Sequence, residues 1–425
     1  MASWLTRPVL AWALYDVASS TYAALVPTFF GVFFVSVIAA DAPGAQARWG
    51  AIAAIALVIS GVFAPLVGAW ADRHGRMLGP IAAATALCVA ATSMMPTGAP
   101  GRTLWMASLF VAAQVGYTLA VALYDSLLVR VAPCTHAGRV SGFGWAVGFT
   151  GGIAGLAAAV ALMHGVPDDA QAARLGYVFL VSGVLYAILA VPGLLGLRGL
   201  AAARTHDGLS RRGVRTTFAA VATTLRQWRS QREVFRFLIA YYLFNDVLVT
   251  LVFFIAIVMR ARFGLGIDGL LWLAMLYHVI ALPATFAFGH AADRWGQRAT
   301  IYVMVTILGV ALLVLAFGTG TYAAVIVISL LGLVYGSLQA VCRSFLALLI
   351  RSRNAAEIFG FNAVAGRLSA ALGPLLFGAV AAASGSDAVA LVSLLPFLIA
   401  GAAVLGSVRM PDPRVVSDAR QAEFG

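Results

Sequence analysis

Twelve separate runs of about 20 apolar residues leave this chain one kind of solvent. They fall at 8–38, 48–71, 78–96, 103–129, 138–163 and 174–197, then at 234–260, 269–291, 299–318, 321–349, 357–383 and 387–408. Each is long enough to cross the hydrocarbon of a bilayer, where every backbone N–H and C=O must be satisfied within its own segment, so each reads as a helix. Only 10% of the 425 residues are charged and 62% are hydrophobic, whereas soluble domains carry about 25% charged residues. The fold class is an all-α membrane protein of twelve transmembrane helices.

The formal charge of +12 comes from 28 arginines and no lysine. With both termini placed in the cytoplasm, 21 arginines fall on cytoplasmic segments, five outside and two within spans. That bias orients the chain and accounts for the charge without nucleic acid. Nine of the arginines lie between 198 and 236, in and beside the one long polar stretch, 198–233. The domains are therefore a six-helix bundle at 1–197, an interdomain loop at 198–233, a second bundle at 234–410 and a tail at 411–425. Cys88, Cys134 and Cys342 lie far apart, without disulfide or metal-ligand spacing. No metal, cofactor, phosphate loop or catalytic constellation is expected, and the N-terminus lacks the pattern of a cleavable signal peptide.

The two halves repeat one another. GAWADRHGR (68–76) answers GHAADRWGQR (289–298), both of the form G-x-x-x-D-R-x-G with an arginine close behind. An offset of 218 aligns Asp125 and Ser126 with Arg343 and Ser344, Gly142 and Phe143 with Gly360 and Phe361, Gly148 with Gly366, and Gly155 with Gly373. Asp16 in the first span likewise answers Asp246 in the seventh, each followed by valine. Two six-span repeats of like orientation are the plan of the major facilitator fold, with the substrate site between the halves near mid-membrane.

The doubled G-x-x-x-D-R element resembles the signature that superfamily carries after its second span. Asp72, Arg73, Arg76, Asp293, Arg294 and Arg298 are candidate gating residues there, against the plainer reading of a positive-inside turn. Gly68 and Gly289 would allow close packing, and Gly75 and Gly296 a sharp turn. Ionisable groups inside spans are costly in lipid and are functional candidates by default. Asp16 (with Tyr15 and Tyr22 near it), Asp246 (beside Asn245) and Arg367 are expected at the transport cavity, or else in an internal ion pair. Asp125 and Arg343 suit a gate across the halves. His278 is a candidate for proton coupling or a packed core histidine. The stretch SGFGWAVGFTGGIAG (141–155) reads as a close-packing face of small residues, with Trp145 either at the cavity or in packing.

Beyond the superfamily, four stretches resemble the vacuole-effluxer-like family, relatives of the autophagy-related vacuolar amino-acid effluxer of fungi: ALYDVASSTYA (13–23), VSGFGWAVGFTGGI (140–153), RFLIAYYLFNDVLVT (236–250) and the segment 337–374. Similar proteins read Trp and Asn where this chain has Val17 and Ser19, and Asp-Gly where it has Asp246 and Val247. The resemblance implies secondary transport without ATP, and for the fungal branch export of amino acids.

The expected function is a secondary transporter in a bacterial inner membrane, rocking two halves about a central cavity. Its cargo would be a small charged or zwitterionic solute such as an amino acid, exported with proton coupling. An amphipathic or lipid-like cargo is the alternative, and a sensor or enzyme on this fold is disfavoured by the missing site chemistry. The expected partners are that solute, protons and membrane lipids, with the chain a monomer. Single cysteines at Ser210 and Ser417 should resist an impermeant label added outside intact cells. Labelling of either from outside would overturn the orientation.

Overall fold

The computed structural model describes residues 5–40, 42–74, 77–127, 131, 137–198, 232–349, 366 and 370–409, and side-chain detail is further confined within a few helices. The first half contains α1 (Arg7–Phe33), α2 (Ala45–His74), α3 (Leu78–Ser93), α4 (Thr103–Ser126), α5 (Ala137–Met163) and α6 (Asp168–Gly196). The second contains α7 (Arg232–Phe263), α8 (Ile267–Trp295), α9 (Gln297–Phe317), α10 (Gly320–Leu349), α11 (Leu372–Ser384), α12 (Asp387–Val392) and α13 (Leu395–Gly406). No strand occurs among the described residues. Eleven spans are long and apolar enough to cross a membrane, and α11 is a shorter apolar helix of the same kind.

The helices are apolar on every side, which suits lipid and protein interior alike. Large side chains such as Leu104, Phe317, Trp272 and Ile399 therefore stand exposed on the outside of the bundle. Local breaks follow the chain's chemistry. α1 passes into one π-turn at Phe34–Ile38, closed by the Ala39 N–H on the Phe34 carbonyl at 2.8 Å. The twelfth span breaks between α12 and α13, where Pro396 occupies the first turn of α13 and has no N–H to continue the ladder. Gly296 joins α8 to α9 at φ +87°, a turn few other residues make. Gly289, expected at a close contact, faces open space.

Within the first half α1 packs on α5 and α6, α2 on α4, and α3 on α4 and α6. In the second, α10 packs on α8 and α9, and α7 on α13, α10 and α11. The halves meet along three symmetric pairs, α2 with α11, α5 with α8 and α1 with α7. α1 and α7 are the most enclosed of the described spans.

At the face that the arginine count assigns to the outside, the seam between halves is tight. The Trp49 indole N–H donates to the Phe253 carbonyl at 2.9 Å. A Cβ on Gly50 would stand 2.5 Å from the Pro374 carbonyl, and one on Gly378 would stand 3.0 Å from the Gln46 carbonyl. Gln171 of α6 caps α8 from across the seam: its Oε1 accepts from the Ile267 N–H at 2.8 Å and the Asp268 N–H at 3.4 Å. The α8 terminus has no side-chain cap of its own, so the partner half supplies two of the acceptors it lacks.

Trp49→Phe removes one cross-seam hydrogen bond, of about 0.5–1.5 kcal/mol. Opening of this face should rise severalfold, read as faster modification from outside of a cysteine placed at Ser20, on the Asp16 face of α1. Gly50→Ala should do the same by wedging the seam; unchanged accessibility in both would deny the seam a closing role.

Candidate functional site: Asp16 and a chain of aromatic groups between the halves

The α1–α5 contact is built on glycine. Gly144, Gly148, Gly151 and Gly155 turn toward α1, where added Cβ atoms would meet Trp12, Asp16, Val17 and Thr21 respectively. This is the small-residue face read from 141–155, and it draws α5 so close that Asp16 lies over Gly148. The Asp16 Oδ2 is 3.0 Å, and the Ser20 Oγ 3.2 Å, from where a Gly148 Cβ would stand. Asp16 is half-buried and has interactions with its surroundings.

Beside Asp16 a chain of aromatic groups runs from one half into the other. Tyr117 of α4 lies within electrostatic reach of Asp16, of Asp125 and of Tyr335 on α10. The Tyr335 hydroxyl bonds the Gln339 side chain, and its ring is 5.9 Å from that of Tyr277 on α8. Tyr277 meets the His278 ring at 5.0 Å, His278 meets Phe149 of α5 at 5.9 Å, and Phe149 meets Trp145 at 6.3 Å. Tyr117, Tyr277 and Tyr335 were not among the sequence candidates. Tyrosine carries no charge to make it conspicuous in an apolar run; the available signal was a hydroxyl in the middle of a span.

The other sequence candidates divide. Tyr15 and Tyr22 are fully buried and bond within the first bundle, and the Tyr22 ring is 4.9 Å from that of Tyr117. The Tyr15 hydroxyl is 2.7 Å from Thr85 Oγ1 and 3.1 Å from the Tyr186 hydroxyl, while the Tyr22 hydroxyl donates to Gln114 Oε1 at 3.1 Å. Trp145 and Asn245 are half-buried. His278 sits on the α5–α8 seam, its Nδ1 2.8 Å from the Ala274 carbonyl and its Nε2 2.6 Å from where a Gly152 Cβ would stand. Arg367 and Arg76 lie outside the described residues, as do the side chains of Asp72, Arg73, Asp293 and Arg343. Asp125 and Arg294 are exposed. Arg298 stays within its own half, where Nη2 donates to the Val408 carbonyl just past the C-terminal end of α13.

Asp246 plays a different part from Asp16. It is 2% exposed, and its Oδ1 accepts from the Gly373 N–H at 2.9 Å. Gly373 is the second residue of α11, so the carboxylate completes a helix N-terminus and sits at the positive end of its dipole. Thr250 Oγ1 closes the same knot, donating to the Asp246 carbonyl at 2.7 Å. The expected equivalence of Asp16 and Asp246 fails here. Gly148 and Gly366 occupy matching places, and Gly148 faces Asp16 whereas Gly366 faces Tyr242. Gly155 faces Thr21, and its counterpart Gly373 faces Asp246 and Thr250. The two aspartates therefore lie about one helical turn apart in depth. Among the described residues, no three His, Cys, Asp or Glu gather to hold a metal.

The family model described as "Vacuole effluxer Atg22 like" matches residues 131–415. The chain belongs to this family. It is 25% identical over 412 residues, 95% of each chain, to the uncharacterized MFS-type transporter YxiO of Bacillus subtilis (strain 168). The inward open conformation of the xylose transporter XylE from E. coli superposes with a TM-score of 0.70 at 12% identity, over 97% of this chain and 98% of that one. The nucleoside transporter NupG gives 0.65 at 13% identity, over 95% and 98%. The fold is thus that of the major facilitator transporters, and the chain is a multi-pass membrane protein.

The two acids should part on mutation. Asp246→Ala leaves the α11 terminus without its acceptor in a dry place, and should cost about 1–3 kcal/mol of stability, lowering the melting temperature in detergent. Asp16→Asn should melt close to the parent chain. Equal melting of the two variants would contradict these separate roles.

Proposed function

We propose that the chain is a secondary active transporter that exports a small zwitterionic solute of the amino-acid kind in exchange for protons. One observation carries the reading: Asp16 is a half-buried carboxylate within reach of Tyr117, the first of a chain of aromatic groups that crosses from one half to the other. A protonated amine suits that setting, because a carboxylate pairs with it and aromatic faces attract it further. Arg367, about ten residues into the eleventh span, is the proposed partner for the cargo's carboxylate.

A single carboxylate serving the amine also gives the coupling. Cargo and proton compete for Asp16, so each state of the cavity holds one or the other, and movement of one drives the other in the opposite direction. His278, on the α5–α8 seam, is the proposed second proton station. The outer seam, closed through Trp49, Gly50 and Gln171, supports a resting state open toward the cytoplasm, with both termini on that side of a bacterial inner membrane. Asp72 and Asp293, with the arginines beside them, are the proposed gate on the cytoplasmic side, and Asp125 with Arg343 a contact across the halves there.

Purified protein in liposomes tests this directly. Saturable counterflow of an amino acid is expected, and a pH gradient should drive its uphill movement against the protons. Asp16→Asn should abolish the gradient-driven movement, and Arg367→Gln the binding, with modest loss of stability in each. The apolar flank of Phe149 and Trp145 favours a second reading, an amphipathic cargo; counterflow of such compounds alone, insensitive to Asp16→Asn, would establish that one instead.

A further inference from the structure

A cavity of about 690 Å³ opens where the α8–α9 turn meets the end of the twelfth span, lined by Trp295, Gly296, Arg298, Ala299, Ser407 and Arg409 among others. It lies at the ends of three spans, on the face that the arginine count places in the cytoplasm. We propose that it binds the phosphate headgroup of an anionic phospholipid of the inner leaflet.

Three independent features converge on that ligand. The first is charge. Two arginines, 298 and 409, line the space, and Arg294 stands exposed one turn away. The neighbouring carboxylate, Glu233, is paired with the Arg236 Nη1 at 3.0 Å, and Arg298 gives one N–H to the Val408 carbonyl, so the neutral Glu233–Arg236 pair leaves the two lining arginines with a net positive charge. The second is a helix terminus. α9 starts at Gln297 with Gly296 before it and no side-chain cap, which leaves its first N–H groups in want of an acceptor, while the C-terminal ends of α8 and α13 meet the same space. The third is the flank. Trp295 is 67% exposed, an indole at the level where tryptophan anchors to the membrane interface, and Val303 continues an exposed apolar path along α9. A free phosphate would use the first two features and leave the third without a purpose; a phospholipid uses all three. The floor is rigid, because the Tyr302 hydroxyl donates to the Ala402 carbonyl at 3.1 Å and ties α9 to α13 beneath the cavity.

The full-length protein can be placed in phosphatidylcholine nanodiscs with and without phosphatidylglycerol, and retained lipid counted by native mass spectrometry. The parent chain should keep phosphatidylglycerol in preference to phosphatidylcholine. Arg409→Gln should weaken retention about fivefold, the value of one arginine near a charged membrane surface. Ser407→Trp, which fills the cavity and leaves both arginines in place, should abolish the preference. Inorganic phosphate at millimolar level should fail to displace the lipid. Parent-like retention in both variants, or displacement by inorganic phosphate alone, would overturn the lipid site; the latter would mark it as a site for soluble anions.

Discussion

Helices in lipid gain nothing from being apolar toward each other, so close approach of backbones has to hold this bundle together. The structure depends on glycine for that approach. On α5 one row of glycines admits α1 and, on the adjacent flank, Gly152 admits His278 of the other half. On α11, Gly373 admits Asp246 and Thr250 of α7, while Gly378 admits the backbone of α2. α5 and α11 each bind a partner within their own half on one flank and a partner across the seam on the other. The same small residues that make each bundle thus set how closely the bundles can meet.

The spans were legible because hydrocarbon imposes length and polarity on every one of them at once. The doubled cytoplasmic element and the glycine offset of 218 gave the two-half plan for the same reason, since repeated packing contacts keep their spacing. What could not be read was the direction in which a residue faces. α1 is apolar all round, so nothing in its sequence separates Tyr15 from Asp16, although about 100° of helix rotation sends one into the bundle and the other toward the cavity. Tyr15 and Tyr22, seven residues apart, share the inward face, whereas Asp16 and Ser20, four apart, share the face toward Gly148.

Depth was equally hidden. Two aspartates, each followed by valine in the first span of its half, suggested one repeated position, yet the facing glycines set them about a turn apart. The difference divides structure from chemistry. Asp246 meets a helix terminus and acts as a fixed part of the scaffold. Asp16 lies against Gly148 of its own half and near Tyr117, where the aromatic chain that crosses to the other half begins. A charge criterion finds both acids and overlooks Tyr117, Tyr277 and Tyr335, the aromatic groups that link the two halves beside Asp16.

The trans cap by Gln171 has a consequence for anything that approaches from the face that the arginine count assigns to the outside. Separating the halves there gives up its two bonds to the α8 terminus together with the Trp49 bond. If their net worth is about 2 kcal/mol, the form open to the outside is a few per cent of the population, and a ligand that selects it binds about thirtyfold more weakly than its intrinsic contacts allow. An inhibitor designed against the outer mouth would therefore gain more from replacing the glutamine's role as an acceptor for Ile267 and Asp268 than from any further contact with the cavity wall.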